Sequence, residues 1–178
     1  MKAFREFSIP IKGLSIGLTE FDFKIDNQFF ESFEESPIQE GKFDVKCYLD
    51  KRSDMLIFTF DFKGSFKTEC DRCLANIDLP ISENGDLIVK YAEQPEEDGE
   101  VVYIVRETSE FNVAKYIYEY ICLSMPVTNI YDCEEEEETV CDLKMLAYLD
   151  QKEDETEEEN SSNPFKDAFK DFNKNNPP

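Results

Sequence analysis

Apolar and polar residues alternate along most of the first hundred positions, and the alternation predicts strands rather than helices. Phe4 to Ile11 reads Phe-Arg-Glu-Phe-Ser-Ile-Pro-Ile, an edge strand in expectation, because Pro10 has no N–H to donate to a ladder. After Gly13 and Gly17, residues Leu18 to Ile25 place Leu18, Phe21, Phe23 and Ile25 mostly on one face. Phe29, Phe30 and Phe33 then recur at helical spacing and predict a short helix over Asn27–Phe33. Ile38–Leu49 and Met55–Phe62 form a hairpin across Asp50–Asp54. Strand-like spacing resumes on either side of Cys70 and Cys73. Ser82–Asp86 with its Asn84-Gly85 pair reads as a tight turn, and Leu87–Tyr91 and Val101–Val105 enclose the acidic loop Glu93–Glu100. About eight strands thus precede any substantial helix. That order predicts an α+β fold with an antiparallel sheet, strongly curved or partly barrel-like.

The period changes at Asn112. Val113, Ile117, Ile121 and Met125 form one stripe, Asn112 or Ser109 can cap it, and Pro126 stops it, so Asn112–Met125 is the main covering helix. Asp142–Leu149 predicts one more short helix through Leu143, Leu146 and Leu149. The expected organisation is a single domain over 1–149, an acidic tether over 150–162 and a short amphipathic helix over 163–173. In that last piece Asn163 is a good N-cap and Pro164 suits the first helical position, while Phe165, Phe169 and Phe172 share one face. Pro164, Phe165, Phe169 and Phe172 are therefore candidate partner-binding residues, the alternative being that this helix folds back on its own domain.

Charge alters the picture more than any other property. The 178 residues carry a formal net charge of −22. Glu134–Asn160 alone holds thirteen acids and two lysines. Nucleic-acid binders gain affinity by setting Lys and Arg on phosphates and releasing counterions; this chain would meet repulsion instead. An acidic chain is electrostatically suited to a basic protein. There is no histidine, so any metal site must be made from thiolates and carboxylates. The N-terminus lacks a signal-peptide apolar core, no stretch is long enough for a membrane span, and six cysteines without an export signal point to reduced thiols. The expected compartment is the cytoplasm.

The chemistry-bearing stretch is Thr68-Glu-Cys-Asp-Arg-Cys-Leu-Ala-Asn-Ile-Asp-Leu-Pro80. A Cys-x-x-Cys at a hairpin tip is a rubredoxin-like knuckle, turning both sulfurs towards one metal. Thioredoxin-type motifs instead place the first sulfur at a helix N-terminus, and Ile77, Leu79, Pro80 and Ile81 are poor material for a helix. Cys133 and Cys141, around five consecutive glutamates, supply the second pair for a structural zinc held by Cys70, Cys73, Cys133 and Cys141. The alternative is a plain turn with reduced cysteines. Cys47 and Cys122 lie on regular elements and are expected to pack.

Glu69-Cys-Asp-Arg-Cys-Leu74 resembles the signature of the YceD family, the large ribosomal RNA subunit accumulation proteins, long a domain of unknown function. Ser124-Met-Pro-Val127, Val140-Cys-Asp142 and Asn163-Pro-Phe165 follow in the same order. The resemblance implies a bacterial cytoplasmic protein needed for large-subunit rRNA to accumulate, with no known catalytic activity. Where family members often carry a histidine this chain has Tyr131, which cannot replace it; Cys133 is the nearest donor. The functional expectation is a non-enzymatic ribosome-biogenesis factor that contacts a basic ribosomal protein or assembly intermediate, with rRNA reached indirectly. Two alternatives stand beside it. One is a thiol- or zinc-dependent oxidoreductase using Cys70 and Cys73. The other is a direct RNA-binding zinc knuckle using Lys63, Lys67 and Arg72.

Overall fold

The computed structural model describes residues 4–98, 101–131 and 140–149. The described residues fall into two compact units, one of residues up to 69 with 76–129, the other of residues 70–75 with those from 130 onward.

In the first unit a 3-10 turn, Arg5–Phe7, leads into β1, Ser8–Ile9. There follow β2 (Gly17–Ile25), α1 (Asn27–Glu31), β3 (Gly41–Lys51), β4 (Met55–Glu69) and β5 (Asn76–Tyr91). Then come β6 (Glu96–Asp98), β7 (Val101–Ile104), β8 (Phe111–Asn112) and α2 (Ala114–Leu123). A six-stranded sheet has the order β2-β3-β4-β5-β7-β6, and β1 pairs with β8 in a separate two-stranded sheet. The α+β class is as the alternation implies. The sheet does not close into a barrel, and it is not wholly antiparallel, because β5 and β7 run parallel, Ile88 opposite Val101. The short β6 takes the chain back along the edge, antiparallel to β7, so that β7 can enter in the same sense as β5.

The main departure from expectation is at Asn84-Gly85. No turn forms there. β4 and β5 pair without interruption from Met55↔Lys90 to Glu69↔Asn76, with Gly85 opposite Phe60 and Gly64 opposite Phe43. Both glycines serve close approach instead of turning. A Cβ on Gly85 would stand 2.6 Å from the Tyr120 ring, and one on Gly64 would collide with the Lys42 carbonyl oxygen.

Alternation fixes which face is covered. Phe43, Val45, Cys47 and Leu49 of β3 and Leu56, Phe58, Phe60 and Phe62 of β4 point inward and are buried. Against this face lies α2, whose Ile117 and Ile121 are fully buried. Tyr120 of α2 meets Phe60 at 5.8 Å between centroids. Burying each of these aliphatic side chains is worth about 1.5–3 kcal/mol. A second aromatic cluster closes the end near α1: Phe33 stacks on Tyr118 at 3.8 Å and Phe4 meets Phe29 edge-on at 5.7 Å. The cap of α1 is Asp26, whose carboxylate accepts from the Gln28 and Phe29 N–H groups. The start of α2 is tied to the N-terminus, since Asn112 Nδ2 donates to the Phe4 carbonyl at 2.7 Å and the Val113 N–H to that of Phe7 at 3.0 Å. The strand expected over Phe4–Ile11 is accordingly reduced to Ser8–Ile9.

In the second unit, residues 143–149 are helical, with the Asp142 carboxylate accepting from the Lys144 and Met145 N–H groups. This agrees with the helix expected over Asp142–Leu149. Cys133, the tether over 150–162 and the segment over 163–173 with Pro164, Phe165, Phe169 and Phe172 lie outside the described residues.

Candidate functional site: a two-thiol knuckle

Ladder pairing ends at Glu69↔Asn76, so the six residues Cys70–Ala75 close the β4–β5 hairpin. Within them the Cys70 N–H donates to the Ala75 carbonyl, and the Leu74 N–H donates to the Cys70 carbonyl, each at 2.8 Å. Leu74 takes a left-handed conformation, φ 60°, and its side chain is 55% exposed. Glycine is the usual residue for such a corner; a leucine there costs about 1–2 kcal/mol. Its N–H still closes the turn over Cys70.

Cys70 and Cys73 are both free thiols and both 1% exposed. Burial pushes the Cys70 thiol up. Hydrogen bonds from the backbone N–H groups of Tyr131, Cys73 and Arg72, and from the Cys73 thiol, outweigh it and hold Cys70 below an ordinary thiol. Backbone donors converging on one sulfur favour its thiolate, the form that ligates metals and attacks disulfides. No helix N-terminus contributes, as the strand-rich flanks implied.

Cys141 is disulfide-bonded, which departs from the expectation that all six cysteines are reduced, and a sulfur in that state is not a thiolate ligand. Cys133 lies outside the described residues. Among the described residues no three His, Cys, Asp or Glu side chains gather where one metal ion would fit. Two of the four sulfurs expected to hold zinc, Cys70 and Cys73, are thus seen as free thiols in the turn that closes the β4–β5 hairpin.

Cys47 is buried in β3, its thiol pushed up to about 12 by burial, and Cys122 is half-buried and likewise raised by burial. Both pack, as expected. The lysines proposed for RNA contact are offset by acids: Lys67 pairs with Glu40 at 2.7 Å, and Lys63 stands cross-strand from Asp44.

Residues 58–172 match the family model described as large ribosomal RNA subunit accumulation protein YceD. The chain belongs to the YceD family. No curated protein and no solved structure matches it. The matched residues include Cys70–Ala75 and the whole of α2, and the family description ties the chain to large-subunit ribosomal RNA accumulation. No helix among the described residues is long and apolar enough to cross a membrane.

Alternation alone could not reveal the strained Leu74 corner or the N–H donors around Cys70, because both depend on backbone angles. A second missed feature, an apolar row on the sheet face opposite α1 and α2, did leave a signal: Ile57 and Ile88 occupy positions where the period calls for polar residues.

Proposed function

We propose that this YceD protein is a non-enzymatic, cytoplasmic ribosome-biogenesis factor. It supports accumulation of 23S-type large-subunit rRNA by contacting a basic ribosomal protein or a large-subunit assembly intermediate. The observation that carries the reading is the charge of −22 on a chain whose family is named for ribosomal RNA. Such a chain cannot gain the counterion release that drives direct binding to RNA, and it is suited to a cationic protein. The offset of Lys63 and Lys67 by Asp44 and Glu40 supports the same reading. The segment with Pro164, Phe165, Phe169 and Phe172 is proposed as a second contact for the partner.

A structural zinc is proposed for the reduced chain, with Cys70 and Cys73 as the preformed half and Cys133 and Cys141 completing four thiolates. Four thiolates leave no open coordination position, so such a metal would stiffen the hairpin tip rather than perform chemistry.

The test is recovery of tagged full-length protein from cells, resolved on a sucrose gradient. Co-migration with precursor large-subunit particles, and direct binding to a purified basic large-subunit protein, are expected. Absence from those particles, or tight binding of the purified chain to free rRNA at cellular salt, overturns the reading. Truncation after Asn160 should weaken partner binding while leaving the unfolding midpoint unchanged. Zinc analysis of protein purified under reducing conditions without chelator should find one metal per chain, lost on Cys70→Ser or Cys73→Ser.

The lowered Cys70 thiol favours one second reading, a dithiol oxidoreductase using Cys70 and Cys73. With a small-molecule dithiol as the electron source, catalysed reduction of a model disulfide, abolished by Cys70→Ser, would support it; background rates would remove it.

A further inference from the structure

The six-stranded sheet has one face covered by α1 and α2 and one face that no helix of the first unit covers. On that second face, register lines up a single row of residues from five adjacent strands: Leu18, Asp50, Ile57, Ile88 and Val101 are successive cross-strand neighbours. Four of the five are aliphatic. Tyr48 precedes this row along β3 and Tyr103 follows it along β7, on the same face. Leu18 is 66% exposed, and Ile57, Ile88, Val101, Tyr48 and Tyr103 are half-buried. Five strands spaced at about 4.8 Å make the row about 19 Å long.

The rest of this face behaves differently. Towards the hairpin tip its outward positions alternate in sign, with Asp22 opposite Lys46, Lys46 opposite Asp61, Lys24 opposite Asp44 and Asp44 opposite Lys63. That half is electrically self-satisfied. Around the apolar row the balance is broken in favour of acid. Glu20 and Asp86 flank it on one side and Glu96 and Asp98 at the β6 end, against two bases, Lys90 beside the row and Arg52, which is paired with the row's own Asp50 at 2.8 Å. Exposed apolar patches rimmed by polar residues mark protein contacts, and an acidic excess in the rim favours a cationic partner.

We propose that this row is the docking surface for a basic amphipathic segment of a partner protein. The segment's aliphatic side chains lie along Leu18, Ile57, Ile88 and Val101, and its Lys and Arg residues face Glu20, Asp86, Glu96 and Asp98. The proposal rests on the reading that the partner is a basic protein, and it adds the surface that recognises it. Complementary charge selects a cationic segment over RNA, whose phosphates this rim repels, and over a second copy, whose rim carries the same sign.

The test uses full-length protein and a synthetic peptide of about 14 leucines and lysines patterned as an amphipathic helix, about 21 Å long. A scrambled peptide of equal composition is the control. Calorimetry should show binding of the patterned peptide, with amide NMR shifts centred on Ile57 and Ile88. Ile57→Thr with Ile88→Thr keeps β-branched residues at both positions and should weaken binding about tenfold or more. Glu96→Gln with Asp98→Asn should weaken it several-fold and flatten its salt dependence without touching any packed residue. Equal affinity for both variants, equal binding of the scrambled peptide, or shifts confined to other surfaces overturns the proposal. So does concentration-dependent dimerisation abolished by the threonine pair, or RNA binding mapped to this row. The broader reading fails separately: wild type missing from large-subunit particles sinks it. Wild type present, with the threonine pair recovered at the same level, sinks the docking surface alone.

Discussion

The ring of Tyr120 lies against the bare backbone of Gly85, and its hydroxyl donates to the neighbouring Asp86 carbonyl at 2.5 Å. Helix α2 is thereby seated on the middle of β5 at the one place where that strand has no side chain. Gly85→Ala should force the ring away and destabilise the protein by about 1–3 kcal/mol, and Tyr120→Phe should cost about 1 kcal/mol. In urea unfolding the combination Gly85→Ala with Tyr120→Ala should cost less than the two single changes summed. Strict additivity would show that the contact does not hold the helix.

Gly64 is the more severe case. The obstructing group is the Lys42 carbonyl oxygen, a backbone atom of the paired strand, and not a movable side chain. Gly64→Ala should cost about 3 kcal/mol or more, above the change at Gly85, by the same unfolding measurement. A substitution that unfolded at the wild-type midpoint would refute the close approach of β3 and β4.

The edge strand β6 is clamped to α2 by Glu97, which accepts from Lys115 Nζ at 2.6 Å and from the Tyr116 hydroxyl at 2.9 Å. The hydrogen bond from Lys115, then that from Tyr116, hold the Glu97 carboxyl below its usual range. A depressed acid stabilises the fold above its unfolded value, about 4.3, and loses that contribution as pH falls through the lower folded value. Because the side chains are about half exposed, the effect is under about 1 kcal/mol. Stability curves of wild type and Glu97→Gln should therefore differ at neutral pH and converge in acid.

The cysteines should separate by chemistry. Burial holds the Cys47 thiol up at about 12, so its neutral form stabilises the fold below the ordinary thiol range, about 8.5. That contribution is lost as pH rises towards the folded value. Under reducing, metal-free conditions Cys47 should resist alkylation in the native state. The lowest thiolate titration, followed by ultraviolet absorbance, should vanish in Cys70→Ser. A native protein labelled first at Cys47 would contradict the buried position in β3.

The hairpin across Asp50–Asp54, the helix stripe through Ile117 and Ile121, and the turn between strands at Cys70 and Cys73 were legible because each rests on local periodicity or spacing. Asn84-Gly85 was misread because turn propensity is local, whereas the need for a bare backbone under Tyr120 comes from a helix that lies far along the chain. Parallel pairing of β5 and β7 was hidden for a related reason: strand direction depends on the path between strands, and β6 is three acidic residues with no alternation. At the site, thiol spacing pointed to a turn at the hairpin end, where Cys70 and Cys73 do lie. The N–H donors from Tyr131, Cys73 and Arg72 depend on backbone conformation and on chain distant from the motif, which no spacing encodes.

Element order has a consequence for synthesis. Strands β2 to β5 pair with their sequence neighbours, so each can zip onto the last as the nascent chain lengthens, a fast, local route. The helix that covers their phenylalanine-rich side is made only after all of them. Until Ala114–Leu123 has emerged, Phe58, Phe60 and Phe62 face water on the growing polypeptide, so this interval is when a chaperone would have most to hold.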